Sequence, residues 1–392
     1  MNITLYDNIN EIHGDEKKDR AKEEIYGLWQ ECFGDSKEYT DFYFKWKVKD
    51  NRILTIYKEE TLCSMLHLNP YLLSLRGGQI PANYIVGVAT KKEERRQGLM
   101  KILLVKALHD MYLEKMPFTY LMPAAEAIYS PYDFRVVYEQ EPWNEIMKAV
   151  TQDVKEKNRT GYKNITVKPL DPEEKDSVKN LTAFCNDQLS KNYDIYVHRT
   201  PYYYERLIQE MKSGYGEVLV CYREDQILGC LSYMAEEAIY ITEMITNPKD
   251  KEVLEAFAVY FNENIHKGMY ENKEQKTTAI MARIVDFKAF VKEISATEEI
   301  GIVMKVTDTI LDENNGIYQL KFTQKGCHIS ETTQEPDITL DIAEAAELFF
   351  GRFQRDKFIN SGNIGTDVRS EEVLDKLDKI NSYSKVFIND VV

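Results

Sequence analysis

The sequence has little of what builds metal, redox or membrane sites. Its cysteines (Cys32, Cys63, Cys185, Cys221, Cys230 and Cys327) never stand at CxxC spacing and mostly lie in apolar runs, so they read as buried thiols kept reduced, not as a disulfide frame or zinc ribbon. Its histidines (His13, His67, His109, His198, His266 and His328) form no HxxxH or HExxH pair, and no metal is expected. No stretch nears the roughly 18 apolar residues that a membrane helix needs. The N-terminus, MNITLYDNINEIHGDEKKDR, lacks the charged-then-apolar order of a secretory signal, which points to the cytoplasm. Basic charge is also in deficit: 50 Lys and Arg face 65 Asp and Glu, for a net charge of -15, which argues against nucleic acid as a partner. That acidity suits a cationic small molecule, and it also serves solubility alone.

A chain of 392 residues exceeds the roughly 250 to 300 at which one core stops growing, so two or three domains are expected. Ile25, Leu28, Trp29 and Phe33, then Tyr39, Phe42, Tyr43 and Trp46 after the Gly34-Asp35-Ser36 break, predict two amphipathic helices. Segments 53–57, 62–75 and 79–89 predict three antiparallel strands, with Gly77-Gly78 as the turn between the last two. A helix follows over about 97–114, stopped by Pro117, and then a short strand at 118–122, a helical turn at 125–130 and a strand at 136–141.

The polar run 151–162 reads as a linker. After it, helices at 174–188 and 201–212, strands at 217–221, 226–234 and 238–246, and a helix at 251–266 echo the first unit's order, which suggests a diverged duplication. The duplicate has Asn247-Pro248-Lys249-Asp250 where the first unit has an arginine- and glycine-bearing loop. A third unit carries strands at 302–308, 316–323 and 327–332, then PDITLD and a helix through Phe349, with Asn314-Asn315-Gly316 as a turn.

The most informative stretch is Val86-Gly87-Val88-Ala89-Thr90-Lys91-Lys92-Glu93-Glu94-Arg95-Arg96-Gln97-Gly98-Leu99-Met100. An apolar strand enters a polar loop with two arginines and one glycine, and an amphipathic helix begins there. A diphosphate needs free N–H groups at a helix start, a favourable dipole and a residue without Cβ where backbone meets ligand. Gly98 offers the close approach, and Arg95 and Arg96 offer charge-assisted hydrogen bonds. Taken alone, the loop reads equally as a solvated basic turn.

The segment resembles the cofactor loop of GNAT acetyltransferases, R/Q-x-x-G-x-G/A, through Arg95 and Gly98, with Met100 where a small residue is usual. The doubled arginine, Gly98-Leu99 and Glu126-Ala127-Ile128-Tyr129 are similar to the Eis (enhanced intracellular survival) family of bacterial acetyltransferases, and the likeness extends over the whole chain. It implies an α+β chain of tandem GNAT domains, the second degenerate, followed by a sterol-carrier-protein-like α/β domain. The expected boundaries are 1–150, 151–294 and 295–392, with the MARIVD segment closing the second domain and PDITLDIAEAAELFFG marking the third.

The resemblance further implies acetyl-coenzyme A as cosubstrate. The backbone of Val86, Val88 and Ala89 would pair with the pantetheine amides, and Arg95, Arg96, Gln97, Gly98, Leu99 and Met100 would hold the diphosphate. Ala124-Ala125 stand where relatives often carry Ser and Glu. Family members form homo-oligomers, often hexamers. They place the chain's terminal carboxylate, here that of Val392, in the first domain's active site as general base.

Acetyl transfer to an amine needs a neutral nucleophile, a donor toward the oxyanion and a proton for the departing thiolate. Tyr129 can give that proton, since a phenol with a pKa near 10 is protonated at neutral pH; it also reads as one of many packing tyrosines. A terminal carboxylate has an ordinary pKa of about 3.5, low for a base unless burial or a relaying water assists. The apolar tail around Val386-Phe387-Ile388 suits an anchored arm, or equally a strand closing the third sheet, and Asp390 would add charge near a cationic amine. His67 and Glu126 are the other candidates for the base, the histidine reading also as core. Tyr202-Tyr203-Tyr204 reads as helix packing. The expected activity is N-acetylation of a cationic acceptor such as an aminoglycoside, polyamine or lysine. The competing expectation is a protein that senses acetyl-coenzyme A without turnover, or carries an apolar ligand in its third unit.

Overall fold

The structure is a computed structural model, and it describes residues 3–8, 14–162, 164–246, 250–265, 279–356 and 368–389. In chain order the first part holds β1 (Ile3–Tyr6), α1 (Asp15–Phe33), α2 (Lys37–Trp46), β2 (Arg52–Lys58), β3 (Thr61–Leu75), β4 (Gly78–Thr90), α3 (Leu99–Leu113), β5 (Phe118–Leu121), α4 (Glu126–Tyr129), β6 (Arg135–Glu139) and α5 (Trp143–Glu156). The middle part holds β7 (Ile165–Pro169), α6 (Ser177–Asn192), β8 (Ile195–Val197), α7 (Pro201–Ser213), β9 (Glu217–Arg223), β10 (Gln226–Met234), β11 (Tyr240–Thr246) and α8 (Lys251–Asn264). Then follow β12 (Ala279–Ile284), α9 (Phe287–Val291), β13 (Ile300–Thr307), β14 (Gly316–Thr323), β15 (Gly326–Glu331), β16 (Ile338–Asp341), α10 (Ile342–Phe349), α11 (Val368–Leu377) and β17 (Val386–Phe387).

Among the described residues nine strands form the largest sheet, in the order β1-β2-β3-β4-β5-β12-β6, with β8 added to β3 and β17 to β8. The turn joining β3 to β4 falls at Arg76 and Gly77, both with positive φ, and Leu75 pairs with Gly78. The turn therefore lies one residue earlier than the Gly77-Gly78 reading. α1 ends at Gly34, a left-handed residue whose N–H reaches Gln30 O, and α2 starts on Ser36, whose hydroxyl accepts from Tyr39 N at 3.3 Å.

Three strands of this sheet come from far along the chain. β12, which contains the Met281–Ile284 stretch expected to close the second unit, instead inserts between β5 and β6, pairing Met281 with Leu121 and with Val136. β8 takes the edge of β3 beyond its pairing with β2, and β17 lies parallel to β8. The tail strand thus belongs to the first sheet and does not close the third. Phe387 returns to the opposite end of the sheet, with its ring 5.9 Å from that of Tyr138 on β6.

The second sheet, β11-β10-β9-β7, has its own core with α5 and α8. α5 crosses the start of the expected linker, because Met147 and Val154 share one buried stripe on it. Asn144, on the first turn, accepts from Ile241 N at 2.7 Å and donates to Ile239 O at 3.1 Å. The third sheet, β15-β14-β13-β16, carries α10 on a capping box formed by Asp341 and Glu344. Phe287, Phe290, Phe322 and Phe349 occupy the interior of that unit. The predicted Asn314-Asn315-Gly316 hairpin is instead a longer connection. In it the buried Asn314 amide donates to Val285 O and Asp308 Oδ2, each at 2.9 Å, which ties it to the end of β12.

Arg283 of β12 joins the first and third units. Fully buried, it bonds the equally buried Asp308 at 2.7 Å and donates to Tyr132 O at 3.0 Å. Removing one partner of such a pair strands the other charge in the interior. Arg283→Met should therefore lower stability by about 3–5 kcal/mol, read from the shift of the urea midpoint; a shift worth less than about 1 kcal/mol would show that the pair behaves as a surface bridge.

Candidate active site

β4 and β5 run parallel but pair only through Tyr84 with Tyr120 and Ile85 with Leu121. β5 ends there, two residues before Pro123, which has no N–H to extend a ladder. β4 continues to Thr90, so past Ile85 its edge faces a gap instead of a strand. On its other edge Val86 pairs with His67 and Ala89 with Met65, leaving Gly87 and Val88 opposite the single residue Leu66. This is a β-bulge, and Gly87 sits in it with φ of +60°. A Cβ at Gly87 would lie 2.6 Å from Trp29 Cζ3 and 3.1 Å from His67 Cγ. A strand parted from its neighbour and bulged at the same point presents backbone N–H and C=O groups to whatever enters the gap.

β4 leads into the turn that the sequence marks. Lys91 N bonds Cys63 O at 3.0 Å, residues 92–94 form a single 3-10 turn, and both Arg96 and Gly98 have positive φ. Gly98 caps α3 without a side-chain cap on the first-turn amides, and a Cβ there would meet nothing within 4 Å. Its left-handed φ calls for glycine, and the space over it is open. Leu99 is buried and Met100 half-buried against the core, so these two offer a ligand their backbone only. The exposed Arg95 turns its Nε onto Thr90 O at 3.1 Å. Gln97 is held by Lys58 at 2.6 Å, and Lys58 also pairs with Glu94. Arg96 is exposed.

Tyr129 ends α4, just past the point where β5 leaves the sheet. Its ring packs on Phe134 at 6.0 Å, and its hydroxyl has no hydrogen bond among the described residues. Burial pushes the phenol up to about 12, so it carries its proton at every physiological pH. Val392 and Asp390 lie outside the described residues. The tail is described as far as Asn389, which is buried and donates from Nδ2 to Thr242 O at 2.6 Å, while Phe387 packs between Tyr138 and Tyr193.

The two other candidates for a base fare differently. Glu126 is exposed on the first turn of α4. His67 is fully buried beneath Trp29 and Tyr43, its Nδ1 lies 3.0 Å from Tyr43 Oη, and burial holds its pKa down to about 3. The Trp29–Tyr43–His67 group against the bulge was not foreseen as a site, because each of its aromatic positions reads locally as helix core. The Tyr202-Tyr203-Tyr204 run packs as expected: Tyr202 donates to Asp50 at 2.7 Å, Tyr203 lies under Arg199 at 4.2 Å, and Tyr204 is buried. No cluster of three metal-ligating side chains occurs among the described residues.

Residues 15–137 match the family of acetyltransferase (GNAT) domains, and residues 287–389 match the sterol carrier protein domain. Residues 15–137 are a GNAT acetyltransferase domain. The chain is therefore an enzyme that carries a GNAT acetyltransferase domain in its first part and a sterol-carrier-like domain in its last. No curated protein matches the sequence. Among solved structures, a conserved protein of Enterococcus faecalis V583 described as a probable N-acyltransferase is similar with a TM-score of 0.77 at 16% identity, over 100% of both chains. A GCN5-related N-acetyltransferase of Anabaena variabilis ATCC 29413 gives 0.75 at 14%, also over 100% of both. Eis1 of Mycobacterium abscessus gives 0.65 at 12%, again over 100% of both. At these identities the likeness is one of fold, and it extends over the whole chain.

The GNAT domain's two special glycines differ in what they exclude. Gly98→Ala meets only the left-handed φ and should cost about 1–2 kcal/mol. Gly87→Ala adds the collision with Trp29, whose ring is stacked on Tyr43 at 4.1 Å, and should cost about 2–4 kcal/mol. Equal losses for the two in urea unfolding would contradict the bulge geometry.

Proposed function

We propose that the chain is an Eis-like enzyme that transfers the acetyl group of acetyl-coenzyme A directly to a primary amine of a cationic acceptor, of the aminoglycoside, polyamine or lysine kind. The observation that carries this reading is the continuous backbone path from the parted edge of β4 at Val86, Val88 and Ala89 to the uncapped start of α3 at Gly98. The strand edge suits the amides of pantetheine, and the helix start suits a diphosphate. Arg96 is free to swing onto phosphate oxygens, and Arg95 can do so by leaving Thr90 O. Leu99 and Met100 contribute amides alone. Gln97 lines the turn while held by Lys58.

In the reaction the amine nitrogen attacks the thioester carbon, and the carbon–oxygen pair moves onto oxygen. When that pair returns, the carbon–sulfur bond breaks and Tyr129 gives the thiolate its proton. Burial keeps the phenol protonated until the charged leaving sulfur draws on it, and the proton taken from the amine then replaces the one it gave. The terminal carboxylate of Val392 takes the amine's proton; the anchoring of the tail, through Val386 and Phe387 to the first sheet and through Asn389 to Thr242 of the second, supports that role. The net charge of -15 favours a cationic acceptor. The enzyme works without a metal, in the cytoplasm, as a homo-oligomer, with the hexamer as the form to test by light scattering.

A thiol-release assay with acetyl-coenzyme A and an amine panel tests the reading. Tyr129→Phe should lower kcat by about a hundredfold with cofactor affinity unchanged, and one residue added after Val392 should depress turnover without lowering the melting temperature. Cofactor binding with no turnover of any amine would replace the enzyme by a sensor.

A further inference from the structure

We propose that His67 is a neutral hydrogen-bond donor to the thioester oxygen as it becomes an oxyanion, and that Tyr43 and Asn51 are positioning residues that hold the imidazole in the donating tautomer. This rests on the placement of the acyl thioester along β4 proposed above.

The tautomer follows from a count of donors. Asn51 Nδ2 donates to Tyr43 Oη at 2.9 Å, and the same hydroxyl lies 3.0 Å from His67 Nδ1. If Tyr43 gives its proton to Nδ1, the imidazole carries its own on Nε2, and of the Tyr43–His67 pair only that donor is left over, Asn51 Oδ1 being unpartnered with either tautomer. Were Nδ1 protonated instead, both the Tyr43 proton and the Nε2 lone pair would be left over in a fully enclosed place. The first arrangement leaves fewer groups unmet. With its one lone pair taken by Tyr43, His67 cannot act as the general base, and burial keeps it from charging.

The leftover donor lies beside the bulge of β4. His67 pairs with Val86, and its Cγ–Cδ2 edge rests on Gly87, since a Cβ there would lie 3.1 Å and 3.2 Å from those two atoms. Cδ2 is bonded to Nε2, so the unpartnered N–H borders the bulge of the strand that faces the gap. One step along the same face, Asn69 is fully buried with both ends of its amide unpartnered. It is in register with Tyr84, which pairs with Tyr120 in the last rows before β4 and β5 part. Two successive inward positions of β3 thus hold unmet polar groups at the level of the fork. In a core with no ligand to bind, such groups are selected against. His67 gains and loses nothing over the cycle: its N–H strengthens its bond as the carbonyl pair localises on oxygen and relaxes when the carbon–sulfur bond breaks.

The experiment uses the full chain with nitrogen-15-labelled histidine, the His67 signals being assigned with His67→Gln. Nitrogen chemical shifts report which ring nitrogen bears the proton. The expected result is a proton on Nε2 throughout the neutral range, a shift of that resonance on adding acetyl-coenzyme A, and a mixture of tautomers in Tyr43→Phe. In kinetics, His67→Leu should lose about a hundredfold in kcat, with acetyl-coenzyme A affinity by calorimetry unchanged. His67→Gln, which keeps an N–H at the ε position, should stay within about tenfold of the parent. A proton on Nδ1 would mean that the Asn51 amide is turned and His67 accepts, which overturns the proposal; so would a parental kcat in His67→Leu. Should His67→Leu not fold, a hundredfold loss in His67→Gln or an unmoved Nε2 resonance overturns it. If the parent binds acetyl-coenzyme A and turns over no amine, the proposed function fails, and the resonance alone decides the donor role.

Discussion

The account depends on two parallel strands that pair for two residues and then separate. β4 and β5 would gain ladder hydrogen bonds by continuing side by side, yet the chain prevents it twice. Pro123 cannot donate to a ladder, and the bulge at Gly87 turns the β4 backbone out of register with β3. The groups left unpaired along Val86, Gly87 and Val88 are obligatory hydrogen-bonding groups that a ligand of alternating amides can satisfy. The same strand delivers the chain to Gly98, where the left-handed backbone starts α3 with its amides uncapped. Strand edge and helix start are therefore one device, built from the consecutive residues 86–98.

That device is local, but what holds it in place is not. β5 is kept in the sheet by β12, which comes from beyond the second unit, and β12 is held by the buried Arg283–Asp308 pair to the third. Arg283 also bonds Tyr132 O, three residues past Tyr129, so the phenol's position is coupled to the packing of the C-terminal domain. The second unit contributes through Lys47 of the α2–β2 connection, paired with Glu210 of α7 at 3.0 Å with both side chains buried. Buried pairs of this kind add little net stability compared with apolar packing. Their effect here is to fix one arrangement of three units around one fork, with the tail strand β17 drawn into the first sheet.

Much of this was legible in the sequence where the signal is local. The strand–arginine–glycine–helix order from Val86 to Met100 announces the turn, and the helical spacing of Leu103, Leu104, Ala107 and Leu108 announces α3, because each is fixed by neighbours along the chain. That a GNAT domain comes first and a sterol-carrier-like domain last was legible from the family likeness. The pairing of Met281 with Leu121 was not, since nothing near either residue names its partner across so long a separation. α5 was mistaken for a linker beyond residue 150 because Val154 is its one buried side chain there. His67 was legible as a core histidine, but the Tyr43–Asn51 pair that fixes its tautomer arises only when α2 folds onto the sheet.

The central claim is that the parted edge of β4 and the start of α3 hold one nucleotide thioester. A crystal structure with acetyl-coenzyme A tests it most directly. The account predicts pantetheine amides on the backbone of Val86 to Ala89 and the diphosphate on the first-turn amides after Gly98. Density for the cofactor elsewhere on the chain, or an empty fork at saturating cofactor, would contradict it.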